Sequence, residues 1–164
     1  MSAIPEVPAA PTVSRTISIE ADSVNYVNEN KYTSASGNVI VIHGDTTLRA
    51  ESLTVNPTSK EINITDSFIL NRGRQQIYGT SLVYDYGSST AAGSDVGIEL
   101  RNNRIKGRNV TILEDKIEIE DAYQTTCTNL LNPCNHITSK RMTIYPEWGD
   151  VVNDHAVVYV FFLP

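Results

Sequence analysis

The sequence predicts an all-β fold, and three observations lead to that prediction. A six-residue motif occurs five times, with successive copies 29, 29, 28 and 32 residues apart. Valine, isoleucine, threonine and tyrosine recur in short runs with an apolar side chain at every second position. Turn-forming residues separate these runs. A fixed period with this alternation is typical of stacked strand-turn-strand units, as in a sandwich, a barrel or a solenoid.

The first motif reads small, polar, polar, apolar, any, apolar. Its copies span residues 21–26, 50–55, 79–84, 107–112 and 139–144. Apolar residues two positions apart point to the same side of a strand, so each copy predicts a strand with one apolar face.

A second motif alternates with the first and places two polar or small residues before an apolar one. Its copies are Gly37-Asn38-Val39, Asp66-Ser67-Phe68, Ser94-Asp95-Val96, Glu120-Asp121-Ala122 and Asp154-His155-Ala156. Turns are predicted at 28–30, 56–59, 71–73, 86–89 and 146–150. Each repeat is therefore expected to hold two strands and a connection to the next repeat, and no segment has the apolar stripe of a helix.

Length and charge narrow the range of functions. The chain has 164 residues and a formal net charge of −6, which argues against nucleic-acid binding. No run approaches the ~20 apolar residues of a membrane helix. Residues 1–15 contain three prolines and are expected to be an extended linker, with the folded domain at 16–164.

The final residues, 156–164, are apolar on both faces. One interpretation is that the native chain continues into another domain. The other is a buried last strand of the same domain.

Two cysteines, Cys127 and Cys134, lie seven residues apart, which is not the spacing of a CxxC metal or redox site. A local disulfide would close a short loop and would require an oxidising compartment. The alternative is a pair of free thiols.

No catalytic or metal-binding constellation is predicted, and no cofactor is expected. His43, His136 and His155 are too far apart for a ligand motif. The acidic run 114–121 alternates with isoleucine, as in a strand with one solvated face. Paired carboxylates of a glycoside hydrolase remain the enzymatic alternative, and the basic residues of 101–108 are expected to be an exposed strand face.

Taken together, the repeats resemble the OstA-type domain of lipopolysaccharide transport, which is shared by LptA, LptC and the periplasmic part of LptD. Residues 19–24 and 37–39 are similar to the opening unit of that family, and the likeness extends over about 16–164. The segment 122–127, with its cysteine, and the apolar residues 157–164 are similar to the end of the periplasmic domain of LptD. In that protein the cysteine pairs with one in the barrel, whereas here Cys134 offers a local partner.

The resemblance implies an open β-jellyroll, a folded trough whose apolar interior holds acyl chains. It implies a periplasmic domain, attached in the full-length protein to the outer membrane and cut before an outer-membrane barrel. Expected partners are lipopolysaccharide, an LptA-like domain added edge to edge, and the barrel with its lipoprotein. The expected slot lining is Val24, Tyr26, Val39, Val41, Leu53, Val55, Phe68, Leu70, Leu82, Tyr84, Ile98, Leu100, Val110 and Ile112.

The function expected on this basis is non-enzymatic transport of lipopolysaccharide towards an outer-membrane translocon. Two alternatives stay open beside it: a soluble LptA-like bridge, and a structural β solenoid that binds no lipid.

Overall fold

A computed structural model describes residues 16–27, 31–129 and 133–160. The predicted linker, the predicted turn at 28–30 and residues 161–164 lie outside these ranges. The described residues form thirteen β-strands and no helix, which confirms the all-β prediction. The strands are β1 (Ser18–Glu20), β2 (Ser23–Val27), β3 (Tyr32–His43), β4 (Thr46–Asn56), β5 (Glu61–Ile64), β6 (Phe68–Arg72), β7 (Gln75–Gly79), β8 (Ser81–Asp85), β9 (Thr90–Leu100), β10 (Asn103–Ile112), β11 (Ile117–Thr125), β12 (Asn135–Tyr145) and β13 (Asp150–Val160). Within these ranges the chain contains no helix of a length and hydropathy suited to crossing a membrane.

All the strands belong to one antiparallel sheet, which is folded in two along a line that crosses the long strands. We call the two parts the upper and the lower half-sheet. The first half of β4 pairs with β6 and its second half with β5, and β9 divides in the same way between β8 and β7. The upper half-sheet therefore contains β1, β6 and β7, and the lower contains β2, β5 and β8. The long strands β3, β4 and β9 to β13 run through both.

The fold line is made by the second sequence motif. Its middle residue has a positive φ in four copies, at Asn38 (50°), Asp95 (51°), Asp121 (49°) and His155 (51°). In the remaining copy the strand is interrupted, between the end of β5 and the start of β6. A residue in the left-handed region turns an extended strand sharply and leaves its partner strand locally out of register, as between Ser36 and Val39.

The small residue of the first motif lies beside this line, where strands approach closely. A Cβ on Gly107 would overlap the Cγ2 methyl of Ile119. A Cβ on Gly79 would lie 2.9 Å from the ring of Phe68. The second motif thus turns the strands at the bend, and the first motif supplies the small residues that the bend requires beside it. Because both motifs recur once in each repeat, together they account for the period of about 29 residues.

Hairpin turns close the far edge of each half-sheet, opposite the bend. Those of the upper half-sheet are at 44–45, 73–74 and 101–102, and those of the lower are at 57–60, 86–89, 113–116 and 146–149. The turn predicted at 71–73 lies at 73–74 instead, because Asn71 and Arg72 still pair with β4 and β7.

The core lies between the half-sheets and comprises the inward-facing side chains of both. Its largest fully buried members are Tyr84, Phe68, Leu48, Ile62, Leu70, Ile77, Leu82, Ile98, Ile105, Ile112, Ile117 and Ile119. The molecule is the open β-jellyroll that the sequence resemblance implied.

Candidate lipid slot

Twelve of the fourteen residues predicted to line a slot lie together in the buried core. They are Val39, Val41, Leu53, Val55, Phe68, Leu70, Leu82, Tyr84, Ile98, Leu100, Val110 and Ile112, each no more than 6% exposed. The interior between the half-sheets is therefore a continuous apolar layer in which these side chains are neighbours.

The other two predicted lining residues, Val24 and Tyr26, are 53% and 64% exposed. Both lie on β2 and pair with Ala35 and Thr33 of β3. Since Ala35 is buried, Val24 and Tyr26 share its inward face, and their exposure comes from their place at the end of the trough. Alternation in the sequence predicts which face of the strand these side chains occupy, but it does not predict that the strand lies at the end of the trough.

The opposite end of the trough has the same character. Val158 and Val160 of β13 are 62% and 58% exposed. Val158 pairs with Ile137, which in turn pairs with Gln124 beside the buried Ile105, so Val158 also faces inwards. Among the described residues, the apolar layer is covered along its middle and exposed at both ends.

Sequence reasoning did not assign several interior residues to the lining. Ile62, Ile64, Ile117, Ile119, Met142 and Ile144 are each no more than 2% exposed. Their alternation is visible in the sequence as apolar pairs, and Met142 and Ile144 belong to the last copy of the first motif. Each pair lies in the lower half-sheet and faces the same interior.

The side opposite the bend, which we call the mouth, is spanned by polar contacts between the half-sheets. The Nδ1 atom of His43, at the end of β3, lies 2.7 Å from the hydroxyl oxygen of Tyr84 on β8. The guanidinium of Arg72, on β6, donates to the backbone oxygens of Ser89 at 2.8 Å and Leu113 at 3.3 Å. Ser89 and Leu113 belong to turns of the lower half-sheet, so both contacts join its edge to the upper one.

Burial raises the pKa of Tyr84 above the ordinary tyrosine value, and the positive charge of Arg72 partly opposes that rise. The hydroxyl is thus a neutral hydrogen-bonding group at physiological pH. His43 is 5% exposed and Thr46 is 3% exposed, so the mouth is closed by buried polar side chains rather than by more apolar ones.

Cys127 and Cys134 form a disulfide that closes the connection between β11 and β12. The Cys127 Sγ atom also accepts hydrogen bonds from the backbone N–H groups of Cys134 at 3.1 Å and Asn135 at 3.3 Å. The local pairing is therefore the one found, and the free-thiol alternative is wrong. Residues 130–132 of this loop lie outside the described part.

The charged side chains considered at the sequence level lie on solvated faces. Lys116 and Glu118 form an ion pair of 2.7 Å, and Arg108 pairs with Asp121 at 3.3 Å near the bend. The described residues include no group of three or more His, Cys, Asp and Glu side chains positioned for a metal ion.

Comparison with known proteins decides the family. The model for "LptA/(LptD N-terminal domain) LPS transport protein" matches residues 18–146, which is most of the chain. The chain belongs to this LptA/LptD N-terminal domain family. Its members are lipopolysaccharide transport proteins, which confirms the prediction of a transport protein rather than an enzyme.

No curated protein sequence matches the chain. Among solved structures, one that is similar is LptH of Pseudomonas aeruginosa, described as the LptA-homologous periplasmic component of the lipopolysaccharide transport device. The similarity has a TM-score of 0.42 and 13% sequence identity, and it covers 91% of this chain and 96% of LptH.

Proposed function

We propose that this domain carries the acyl chains of lipopolysaccharide through its apolar interior in the periplasm. The observation that supports the proposal is the inward-facing apolar layer, which is covered in the middle and exposed at Val24 and Tyr26 at one end and at Val158 and Val160 at the other. A layer of this shape suits a long apolar ligand that enters and leaves at the ends. Membership of a lipopolysaccharide transport family gives the ligand its chemistry.

Transport through such a slot needs no catalytic group. Each buried CH₂ stabilises the bound lipid by roughly 0.8 kcal/mol relative to water, so the slot lowers the barrier to crossing an aqueous compartment. The sugars and phosphates would stay outside the apolar layer. Direction would come from other parts of the transport machinery.

The exposed edges support edge-to-edge assembly with related domains. In the described ranges β13 pairs only with β12, and β1 and β2 pair only with β3, so each end of the sheet has free backbone groups. Free edges are templates for strand addition. We propose an LptA-like domain as the partner at one end and, at the other, an outer-membrane barrel with its lipoprotein, which together form the translocon.

The Cys127–Cys134 disulfide supports a location in an oxidising compartment. Disulfides persist in oxidising surroundings such as the bacterial periplasm. We therefore propose a periplasmic location, with attachment to the outer membrane in the full-length protein and residues 16–164 as the folded domain after a linker of 1–15.

Photocrosslinking tests the slot. A photoreactive amino acid is placed at Leu53 or Leu82 in the covered middle, or at Tyr26 or Val158 at the ends, and the folded protein is exposed to lipopolysaccharide. Adducts are expected at all four positions and not at Glu118, which lies on the solvated face of β11. If folded protein gives no adduct at any interior position, the slot is wrong and a filled structural β fold replaces it.

A further inference from the structure

The mouth of the trough is held by one arginine that reaches across it. Arg72 is the last residue of β6, in the upper half-sheet. Its Nε donates to Thr46 Oγ1 at 3.2 Å within the same half-sheet. Its Nη2 and Nη1 donate to the backbone oxygens of Ser89 and Leu113, in two different turns of the lower half-sheet. One side chain therefore ties one strand end to two turns on the facing edge.

The partners of Arg72 across the mouth are neutral. Its contacts in the described part of the chain are hydrogen bonds, and its guanidinium makes no ion pair there. Releasing a guanidinium from carbonyl oxygens requires only that water replace them. Separating a buried ion pair would instead leave an uncompensated charge, which is far more costly. The contact therefore spans the mouth through hydrogen bonds to neutral oxygens, without an ion pair.

A cleft of about 390 Å³ lies directly beside this contact. It separates the upper turns at 73–74 and 101 from the lower turns at 113–115 and 146–147. Its floor includes Leu100, Ile112 and Ile117, which belong to the buried core. Arg72 and Leu113 both line it, so the arginine contact forms one wall of a cleft that reaches residues of the apolar layer.

From this arrangement we propose that Arg72 is a releasable clasp on a lateral entrance to the interior, and that an acyl chain enters through the adjoining cleft when the clasp opens. The proposal rests on the proposed function. It adds a sideways route to the end-to-end one and assigns the residue that controls it. The hydrogen bond between His43 and Tyr84 is the second closure on the same side.

The first measurement follows the mouth without lipid. Cysteines replace Arg74 and Glu114, which line opposite sides of the cleft, and carry spin labels whose separation is read by pulsed EPR. The native disulfide is kept. The variant Arg72→Met keeps most of the side-chain length and removes every donor, and it is expected to shift the distance distribution to larger values. Arg108→Met is the matched control, because Arg108 lies at the bend and its ion pair with Asp121 is exposed.

The second measurement follows entrance of a probe, nitroxide-labelled stearic acid, into the folded domain. Loss of hydrogen bonds from a charged donor is expected to raise the rate of uptake about 10- to 100-fold in Arg72→Met. Ile105→Val, in the core and outside the lining of the cleft, shows how much uptake general destabilisation alone produces. Arg108→Met is expected to behave as wild type.

The clasp is overturned if folded Arg72→Met has the wild-type distance distribution, or if its uptake does not exceed that of Ile105→Val. If Arg72→Met does not fold, Arg72→Lys is judged by the same two criteria, since a lysine cannot reach both carbonyls at once. Failure of the slot itself appears separately, as absence of lipopolysaccharide adducts in wild-type protein, while the distance measurement still reports on the clasp.

Discussion

The hydroxyl oxygen of Tyr84 lies 2.7 Å from Nδ1 of His43, and this contact joins the two half-sheets at the mouth, opposite the bend. Both side chains are buried, and the two residues are 41 positions apart in sequence. A polar pair in this position fixes the spacing of the half-sheets where the apolar core ends. It is satisfied only while the trough is closed.

Tyr84→Phe is expected to lower the free energy of unfolding by about 1–3 kcal/mol. The ring still fills its place, but the buried Nδ1 of His43 loses its partner, and an unsatisfied buried polar atom costs about that much. Urea denaturation measures the change. Tyr26→Phe removes an exposed hydroxyl on the same half-sheet and should change stability by less than about 0.5 kcal/mol. Equal effects of the two substitutions would contradict the role of the contact.

Gly107→Ala is expected to destabilise the fold by about 1–3 kcal/mol, because the new methyl group overlaps the Cγ2 methyl of Ile119. Ile119→Leu moves the branch away from that point. The double variant should therefore lose less stability than the two single variants added together. Chemical denaturation of all four proteins gives the coupling energy. Strict additivity would show that the strands do not approach as closely at the bend as the structure has them.

Asp85 makes the turn after β8 sensitive to acid. Its carboxylate accepts hydrogen bonds from the Ser88 hydroxyl and from the backbone N–H groups of Gly87 and Ser88. These bonds lower the pKa of Asp85 below the ordinary 3.8, and the bond from the Ser88 hydroxyl has the largest effect. A carboxyl group whose pKa is lowered by folding stabilises the folded state at pH values above its unfolded-state pKa. That contribution is lost as the pH falls through the folded-state pKa. Wild type should thus lose stability on acidification below about pH 4.

Asp85→Asn separates turn geometry from charge. In the equivalent turn 29 residues earlier, the side-chain oxygen of Asn56 accepts hydrogen bonds from the backbone N–H groups of Thr58 at 2.9 Å and Ser59 at 3.2 Å. An amide at position 85 is therefore expected to keep the turn. Denaturation curves at pH 3 and pH 6 should show a smaller loss for Asp85→Asn than for wild type. An identical loss would assign the acid sensitivity to other carboxylates.

Reduction of the Cys127–Cys134 disulfide is expected to lower the free energy of unfolding by about 2–3 kcal/mol, the loop-closure value for a short loop. The comparison is urea denaturation with and without dithiothreitol. A protein with serine at both positions should be insensitive to the reductant. If the reductant lowers its stability as well, the effect does not come from this bond.

The sequence was sufficient to predict the strands and their repeat, because alternation records which face of each strand is buried. It was not sufficient to predict the bend. Left-handed φ values at Asn38, Asp95 and Asp121 occur at residue types that tolerate that conformation, so a signal was present in the second motif, but it resembles an ordinary turn. His155 belongs to a third residue type that is enriched in this conformation.

The residues of the candidate site also fall into those that the sequence predicted and those that it did not. Leu53 and Leu82 were assigned to the interior from alternation together with the family resemblance, and both are buried. Arg72 was assigned to a turn, because asparagine and glycine flank it. Its contacts with Ser89 and Leu113 span 17 and 41 residues and depend on which turns the fold brings opposite it. Such cross-sheet contacts leave no trace in local sequence.

The repeat also fixes a dimension. Each unit supplies one hairpin to the lower half-sheet and then one to the upper, for example β4 with β5 followed by β6 with β7. Neighbouring strands are about 4.8 Å apart, so one repeat lengthens the trough by about 10 Å and leaves its cross-section unchanged. The number of repeats thus determines the length of the trough. Gain or loss of whole repeats during evolution would change that length in steps of one repeat.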